Sequence, residues 1–508
     1  VIKHIEYPRV PLQGLFEANV RNAPNALAIV FCAKAFSYLE LDSMCNRFAN
    51  TLLKLGVAKG DRVALYLPNI PQFVIAYFGA LKAGAVVTPI NPLYREREVV
   101  FQLDDSGAQT LVTLDTLRPV VEKIKTNTPL NHLITTRLDQ HDFDEAINAP
   151  NSCPSITIDP VEALAALQYT GGTNGTAKAA MLTHQNLLSN ALAFATTINA
   201  TTKDIFLTAL PLFHIYGMTT SLIVPISLGA KMVMLPKFEA AQACAAIQQH
   251  KVTVLCGVPT MYQLFLTHPD LSNYDLKSIR VCISGASPLP PTVQKRFMET
   301  TGGLLVEGYG LTEASPVTHC TPVEAALVRV GSIGVPLPDT EAKIVDLENP
   351  EKVLEVGRVG ELAVRGPQVM RGYWNQPDET ALVLRGGWLL TGDLACVDAA
   401  GYFYVVDRKK DLIKHKGYSV YPRELEDLLY EHPNVKLCAV VGTLDGDGNE
   451  VAKACVVLKD GVAVCTDELM RFINEKVASY KGVREIEFIE ALPVSSVGKV
   501  LKNQLHRR

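Results

Sequence analysis

The stretch Tyr169-Thr-Gly-Gly-Thr-Asn-Gly-Thr-Ala-Lys178 decides how this chain is read. Apolar Ala163–Leu167 precedes it, and Met181–Ala191, whose spacing predicts a helix, follows it. A strand-to-helix turn holding three glycines, flanking hydroxyl side chains and a lysine makes a cradle of backbone N–H donors suited to polyphosphate oxygens. It is not a Walker A loop, because Lys178 follows Ala177 rather than Gly and precedes Ala179 rather than Ser or Thr. Taken alone, the same residues also fit a Gly-rich surface turn with no ligand.

Outward from the loop, short apolar runs bounded by Gly, Pro or Asp predict strands at Arg62–Tyr66, Val86–Ile90, Thr110–Val112, Lys231–Leu235, Val252–Leu255 and Ser278–Ser284. Amphipathic spacing predicts helices at Leu39–Leu55 and Pro290–Thr300. Strand alternating with helix means an α/β fold built in layers. After about Ser332 the texture becomes hairpin-like, with Glu341–Val345, Gly360–Arg365 and Gly401–Val406 forming a β-rich subdomain. The charge-dense Asp407-Arg-Lys-Lys-Asp411 then leads into a tail with helix-like Pro422–His432 and Thr466–Ala478 and strand-like Val435–Val441, Val451–Leu458 and Glu485–Phe488. The expected division is a large N-terminal domain over 1–406, a linker over 407–412 and a small, mobile C-terminal α/β domain over 413–508.

A chain of 508 residues has ample length for two to four folding units, which excludes a disulfide miniprotein or a single small binding module. With 48 basic and 52 acidic side chains, its charge of −4 gives no reason to expect nucleic acid as a partner. The eleven cysteines form no CxxC pair and sit mostly among Val, Ile, Leu and Ala, so reduced thiols and a cytoplasmic location are expected. The greasiest segment, Phe73–Ile90, carries Lys82 in its middle and ends in Pro89-Ile90, which reads as a buried helix and strand rather than a membrane span.

The Gly-rich loop is followed, in order, by Gly308-Tyr-Gly-Leu-Thr-Glu313, Thr391-Gly-Asp393, Asp407-Arg408 and Pro493-Val-Ser-Ser-Val-Gly-Lys499. At these residues the sequence resembles the adenylate-forming superfamily of acyl-CoA synthetases, firefly-type luciferases and peptide-synthetase adenylation domains. The resemblance runs along essentially the whole chain. It implies ATP and Mg²⁺, with coenzyme A as co-substrate.

The resemblance places Thr170, Gly171, Gly172, Thr173, Asn174, Gly175 and Lys178 around the β- and γ-phosphates of ATP. Asn174 stands where the family has a second threonine and Ala179 where it has a glycine, although an Asn amide still donates hydrogen bonds. Glu313, with Thr173, would hold Mg²⁺, and Thr312 would reach the α-phosphate. Tyr309, in the motif begun by Gly308, would stack on adenine, with Gly285, Ala286 and Ser287 along the base's other edge. Asp393 offers two acceptor oxygens to the ribose hydroxyls, and Arg408 closes the nucleotide site from the linker side. Lys499 falls where the family sets an ammonium between carboxylate and α-phosphate. Lys410 matches the hinge about which the tail rotates, and Lys414 and Gly417 belong to the segment that rotation brings to the thioester step.

The acyl group would lie against Phe213, His214, Gly257 and Gly310. Amino-acid-activating relatives usually place an aspartate near this wall to pair with the substrate ammonium, and Phe213-His214 contains none. The resemblance is nearest in wording to medium- and long-chain fatty acid:CoA ligases. A 4-coumarate-type ligase and a catalytically weak lipid- or nucleotide-binding relative stay open as alternatives, as do oligomer formation and peripheral contact with a membrane.

Overall fold

The computed structural model of the protein describes residues 3–138, 149–170, 177–415, 418–446, 448–494 and 500–505. The chain divides into two compact units, Val1–Glu341 with Arg365–Leu389, and Ala342–Val364 with Leu390–Arg508.

Two sheets build the first unit. One runs, edge to edge, through His132–Thr136, Thr110–Leu114, Arg62–Tyr66, Val86–Pro89, Leu164–Thr170 and Lys178–Thr183, parallel except for its last pair. The other has a parallel centre of Leu27–Phe31, Lys231–Met234, Ile205–Thr208, Val254–Gly257, Val281–Ser284 and Leu304–Gly310, with antiparallel strands at both edges. The central strands Val254–Gly257 and Val281–Ser284 are buried along their length, which is why such strands read in sequence as mostly apolar runs. Helix Tyr38–Lys54 starts at a capping box, in which the Ser37 hydroxyl accepts from Glu40 N and the Glu40 carboxylate accepts from Ser37 N.

The segment tested for membrane insertion is helix Pro71–Lys82 followed by strand Val86–Pro89, as its sequence predicts. Every residue of that helix is buried, and Lys82 at its end is held by Glu17 Oε1 at 3.0 Å and Asp42 Oδ1 at 2.9 Å. Among the described residues, no helix is long and apolar enough to cross a membrane. All eleven cysteines are free thiols, seven of them buried.

The expected strand-to-helix turn after the Gly-rich loop needs correction. Lys178–Thr183 is a strand, antiparallel to Leu164–Thr170, and the helix spans His184–Thr197. The helix starts late because Thr183 caps it: the Thr183 hydroxyl accepts from Asn186 N at 3.1 Å and Asn186 Oδ1 accepts from Thr183 N at 3.0 Å.

In the second unit strand Phe403–Arg408, antiparallel to residues 393–397 of strand Trp388–Val397, precedes a tail of helices Pro422–Tyr430 and Thr466–Asn474 on a sheet of Val435–Leu444, Glu450–Leu458 and Val483–Phe488. The amphipathic helices bury Leu425, Leu429, Leu469 and Ile473 against Val440, Ala454 and Val456 of that sheet.

Candidate active site

In the first unit, Thr170 and Lys178 face each other across the antiparallel pair that carries the Gly-rich loop. Gly171, Gly172, Thr173, Asn174 and Gly175 lie outside the described residues. A segment distant in sequence completes the frame. Arg371 N donates to Met181 O at 3.0 Å, Met181 N to Gly372 O at 2.9 Å and Trp374 N to Ala179 O at 2.8 Å, so residues 371–374 run beside strand Lys178–Thr183.

That pairing delivers Tyr373, whose hydroxyl donates to Glu313 Oε1 at 2.6 Å and whose ring lies 5.2 Å from Lys178 Nζ. Burial, and then the Glu313 charge, push the phenol pKa up, so Tyr373 remains a donor. Lys178 also pairs with Glu379, on helix Pro377–Val383. Glu313 sits on a single turn, Thr312–Ala314, pinned by a 2.8 Å bond from Met370 N to its carbonyl. Lys178, Tyr373 and Glu313 thus form one connected chain of cation, phenol and carboxylate.

Two neighbouring parallel strands, Val281–Ser284 and Leu304–Gly310, end at predicted site residues, and the carboxyl edge of an open α/β sheet is where ligands usually bind. Gly285, Ala286 and Ser287 follow strand Val281–Ser284, with Ala286 in the left-handed region at φ 69°. Gly310 is a glycine of necessity, because a Cβ there would stand 2.1 Å from Pro316 O. Gly308 and Tyr309 end strand Leu304–Gly310, and the Tyr309 ring meets that of His319 at 5.9 Å.

His214 caps the short helix Ile215–Met218, its Nδ1 accepting from Tyr216 N at 3.2 Å, while the Phe213 carbonyl accepts from Gln168 Nε2 at 2.9 Å. Tyr216 is buried, with its hydroxyl 3.0 Å from Ile283 O and 3.3 Å from Gly257 O. Its ring fills the space that a side chain on Gly285 would need, as Tyr262 does at Gly257.

The second unit brings other predicted residues together. Asp393 is buried opposite Arg408 on paired strands, with Arg408 Nε 3.4 Å from Asp393 Oδ1. Lys410 follows in a single turn, Lys409–Asp411, where burial draws its ammonium pKa down. Neighbouring Lys409 is fixed to Glu361 Oε2 at 2.7 Å, and Glu361 Oε1 accepts from Gly392 N at 3.1 Å. Lys414 is exposed on hairpin Ile413–His415 and Tyr418–Val420, its ammonium 3.2 Å from Ser419 Oγ. Gly417 and Lys499 lie outside the described residues.

Residues 16–374 match the family described as AMP-binding enzyme, and residues 424–499 match the AMP-binding enzyme C-terminal domain. The chain belongs to the AMP-binding enzyme family. A long-chain-fatty-acid–CoA ligase of Bacillus subtilis is 41% identical, over 98% of this chain and 94% of that protein. A feruloyl-CoA synthase of an Amycolatopsis species is 36% identical, over 98% and 99%. The crystal structure of ATP-bound MatB from Rhodopseudomonas palustris superposes with a TM-score of 0.91 at 31% identity, over 98% of this chain and 99% of that one.

As an AMP-binding enzyme of the acyl-CoA synthetase kind, the protein uses ATP and takes a carboxylic acid and coenzyme A as substrates. Sequence reasoning missed Tyr373, Glu379 and the pairing of residues 371–374 with the strand after the loop. The signal available was Arg371-Gly-Tyr-Trp374, aromatic residues beside a glycine, and nothing local ties it to Glu313.

Proposed function

We propose that this protein activates a fatty acid with ATP and passes the acyl group to coenzyme A. A carboxylate oxygen attacks the α-phosphorus and pyrophosphate leaves; the thiol sulfur of coenzyme A then attacks the acyl carbon and AMP leaves. The observation that carries this reading is the Lys178–Tyr373–Glu313 chain beside the Gly-rich loop, which links a cation and a carboxylate through one phenol.

In this reading Thr170, Gly171 to Gly175 and Lys178 hold the β- and γ-phosphates, and Thr312 the α-phosphate. Tyr309 and Gly285 to Ser287 frame adenine, and Asp393 and Arg408 hold the ribose. Glu313 fits Mg²⁺: it is partly exposed, a hard oxygen donor, and the Tyr373 bond engages only Oε1. Thr173 would join it, and the bound ion would supply charge neutralisation on the phosphates. Lys499 stabilises the pentacovalent phosphorus. The tail then turns about Lys410, within a linker at 407–412 between domains 1–406 and 413–508, and brings Lys414 and Gly417 to the thioester step.

For the acid, Phe213 and His214 offer no carboxylate to an ammonium, whose unpaired burial costs several kcal/mol, so amino acids are rejected. A fatty acyl chain gains about 0.8 kcal/mol per buried methylene, roughly fourfold in kcat/KM per carbon. A 4-coumarate-type aromatic acid is the second reading, and it calls for a pocket that is short and wide instead.

Incubation with ATP, Mg²⁺ and acids of two to eighteen carbons, with and without coenzyme A, separates these readings when pyrophosphate and thioester are measured separately. Fatty acids should show a climb and then a break with length. Coumarate-like acids outrunning every fatty acid would establish the aromatic reading, and no pyrophosphate from any acid would leave only a binding protein.

A further inference from the structure

Helix Pro422–Tyr430 opens the tail without a cap of its own, since its N-cap residue, Tyr421, makes no side-chain bond to the first turn. The cap comes from sixteen residues upstream. Asp407, on strand Phe403–Arg408, accepts from Arg423 N at 2.9 Å through Oδ2 and from Arg408 N at 2.7 Å through Oδ1. Arg423 answers in the other direction, its Nη1 donating to Val405 O at 3.1 Å. Lys502, largely buried, pairs with Glu426 Oε1 at 2.7 Å one turn along the helix and lends its charge to Asp407. Every one of the Asp407–Arg423–Val405 contacts joins a residue before Lys410 to one after it.

We propose that Asp407 and Arg423 form a latch across the pivot, holding helix Pro422–Tyr430 against strand Phe403–Arg408 and releasing as a unit when the tail turns. This rests on the hinge reading of Lys410. Rotation about residues 409–411 carries helix Pro422–Tyr430 away from strand Phe403–Arg408. The two hydrogen bonds that bridge them then break together, and the helix N-terminus loses its cap. Asp407 and Arg423 are therefore positioning residues: they set how the tail divides its time between two orientations, and so between the two half-reactions.

The test uses the full chain and measures adenylate formation and thioester formation from supplied acyl-adenylate separately. Asp407→Ala should shift the ratio of the two rates by about tenfold, the scale of a lost charged helix cap, and Arg423→Ala should shift it in the same direction. A plain structural role for Asp407 would act by fraying the helix, so the double variant Asp407→Ala with Tyr421→Asp restores a local cap without restoring the bond across the pivot. The latch predicts that the ratio stays shifted in the double variant while thermal stability recovers. Return of the ratio to the wild-type value, or an equal fall in both rates, overturns it. Lys410→Pro, assayed alongside, tells the failures apart. If it blocks thioester formation alone while Asp407→Ala leaves the ratio unmoved, the hinge stands and the latch falls; if neither variant separates the half-reactions, both fall.

Discussion

The Tyr373 hydroxyl holds Glu313 Oε1 at 2.6 Å, and the same ring lies 5.2 Å from Lys178 Nζ. Tyr373→Phe keeps the ring against Lys178 and removes only the donor, leaving the carboxylate free to rotate. The expected result is a fall of roughly tenfold in adenylate formation, with thioester formation from supplied acyl-adenylate little changed. Glu313→Gln removes the charge as well and should cost more, with a larger Mg²⁺ requirement in the same assay. Equal, small effects of the two variants would remove Glu313 from the nucleotide site.

Lys499→Ala should lower pyrophosphate release from ATP and acid by about 10²-fold or more, since a preorganised transition-state cation is worth about 3 kcal/mol. Thioester synthesis from the supplied adenylate should persist. Normal pyrophosphate release from this variant would exclude Lys499 from the chemistry.

Two histidines make the fold acid-sensitive. His184, whose Nδ1 accepts from Leu12 N at 3.2 Å, and His319 are both buried, and burial pushes each pKa down to about 3. Each is neutral when folded, whereas the unfolded chain takes up a proton near pH 6.5. Stability is therefore complete above about pH 6.5 and falls as pH drops toward 3, by up to about 1.4 kcal/mol per pH unit for each histidine. Urea midpoints measured from pH 7 to pH 4 should show this slope, and His184→Asn, which keeps an acceptor but cannot titrate, should make it shallower. An unchanged slope would mean that His184 does not titrate with unfolding.

Gly310→Ala places a methyl group 2.1 Å from Pro316 O, in a turn closed by the 3.0 Å bond from Leu311 N to the same carbonyl. The backbone must move, at a cost of at least about 1–3 kcal/mol. Because Glu313 lies within that turn, adenylate formation should fall along with the melting temperature. A variant of wild-type stability and activity would show that the turn opens freely.

Local chemistry was enough to predict most elements. Strands such as Arg62–Tyr66 and helices such as Tyr38–Lys54 are legible because a buried strand needs an unbroken apolar run and a helix needs a periodic one with a cap. The same holds for motif residues close together in the chain, such as Gly308 to Glu313. Met181–Ala191 misled because alternating and periodic patterns coincide over a few residues, and the Thr183–Asn186 cap decided where the helix begins.

What tertiary structure alone decided are the long-range partners. Tyr373 stands 60 residues from Glu313, Asp407 caps a helix 16 residues away, and Lys82 finds its two carboxylates 40 and 65 residues back. No periodicity encodes such pairs. A buried charge or an uncapped helix end must be satisfied by something, and the sequence states that need, but only the packing of the sheets settles which distant side chain arrives to meet it.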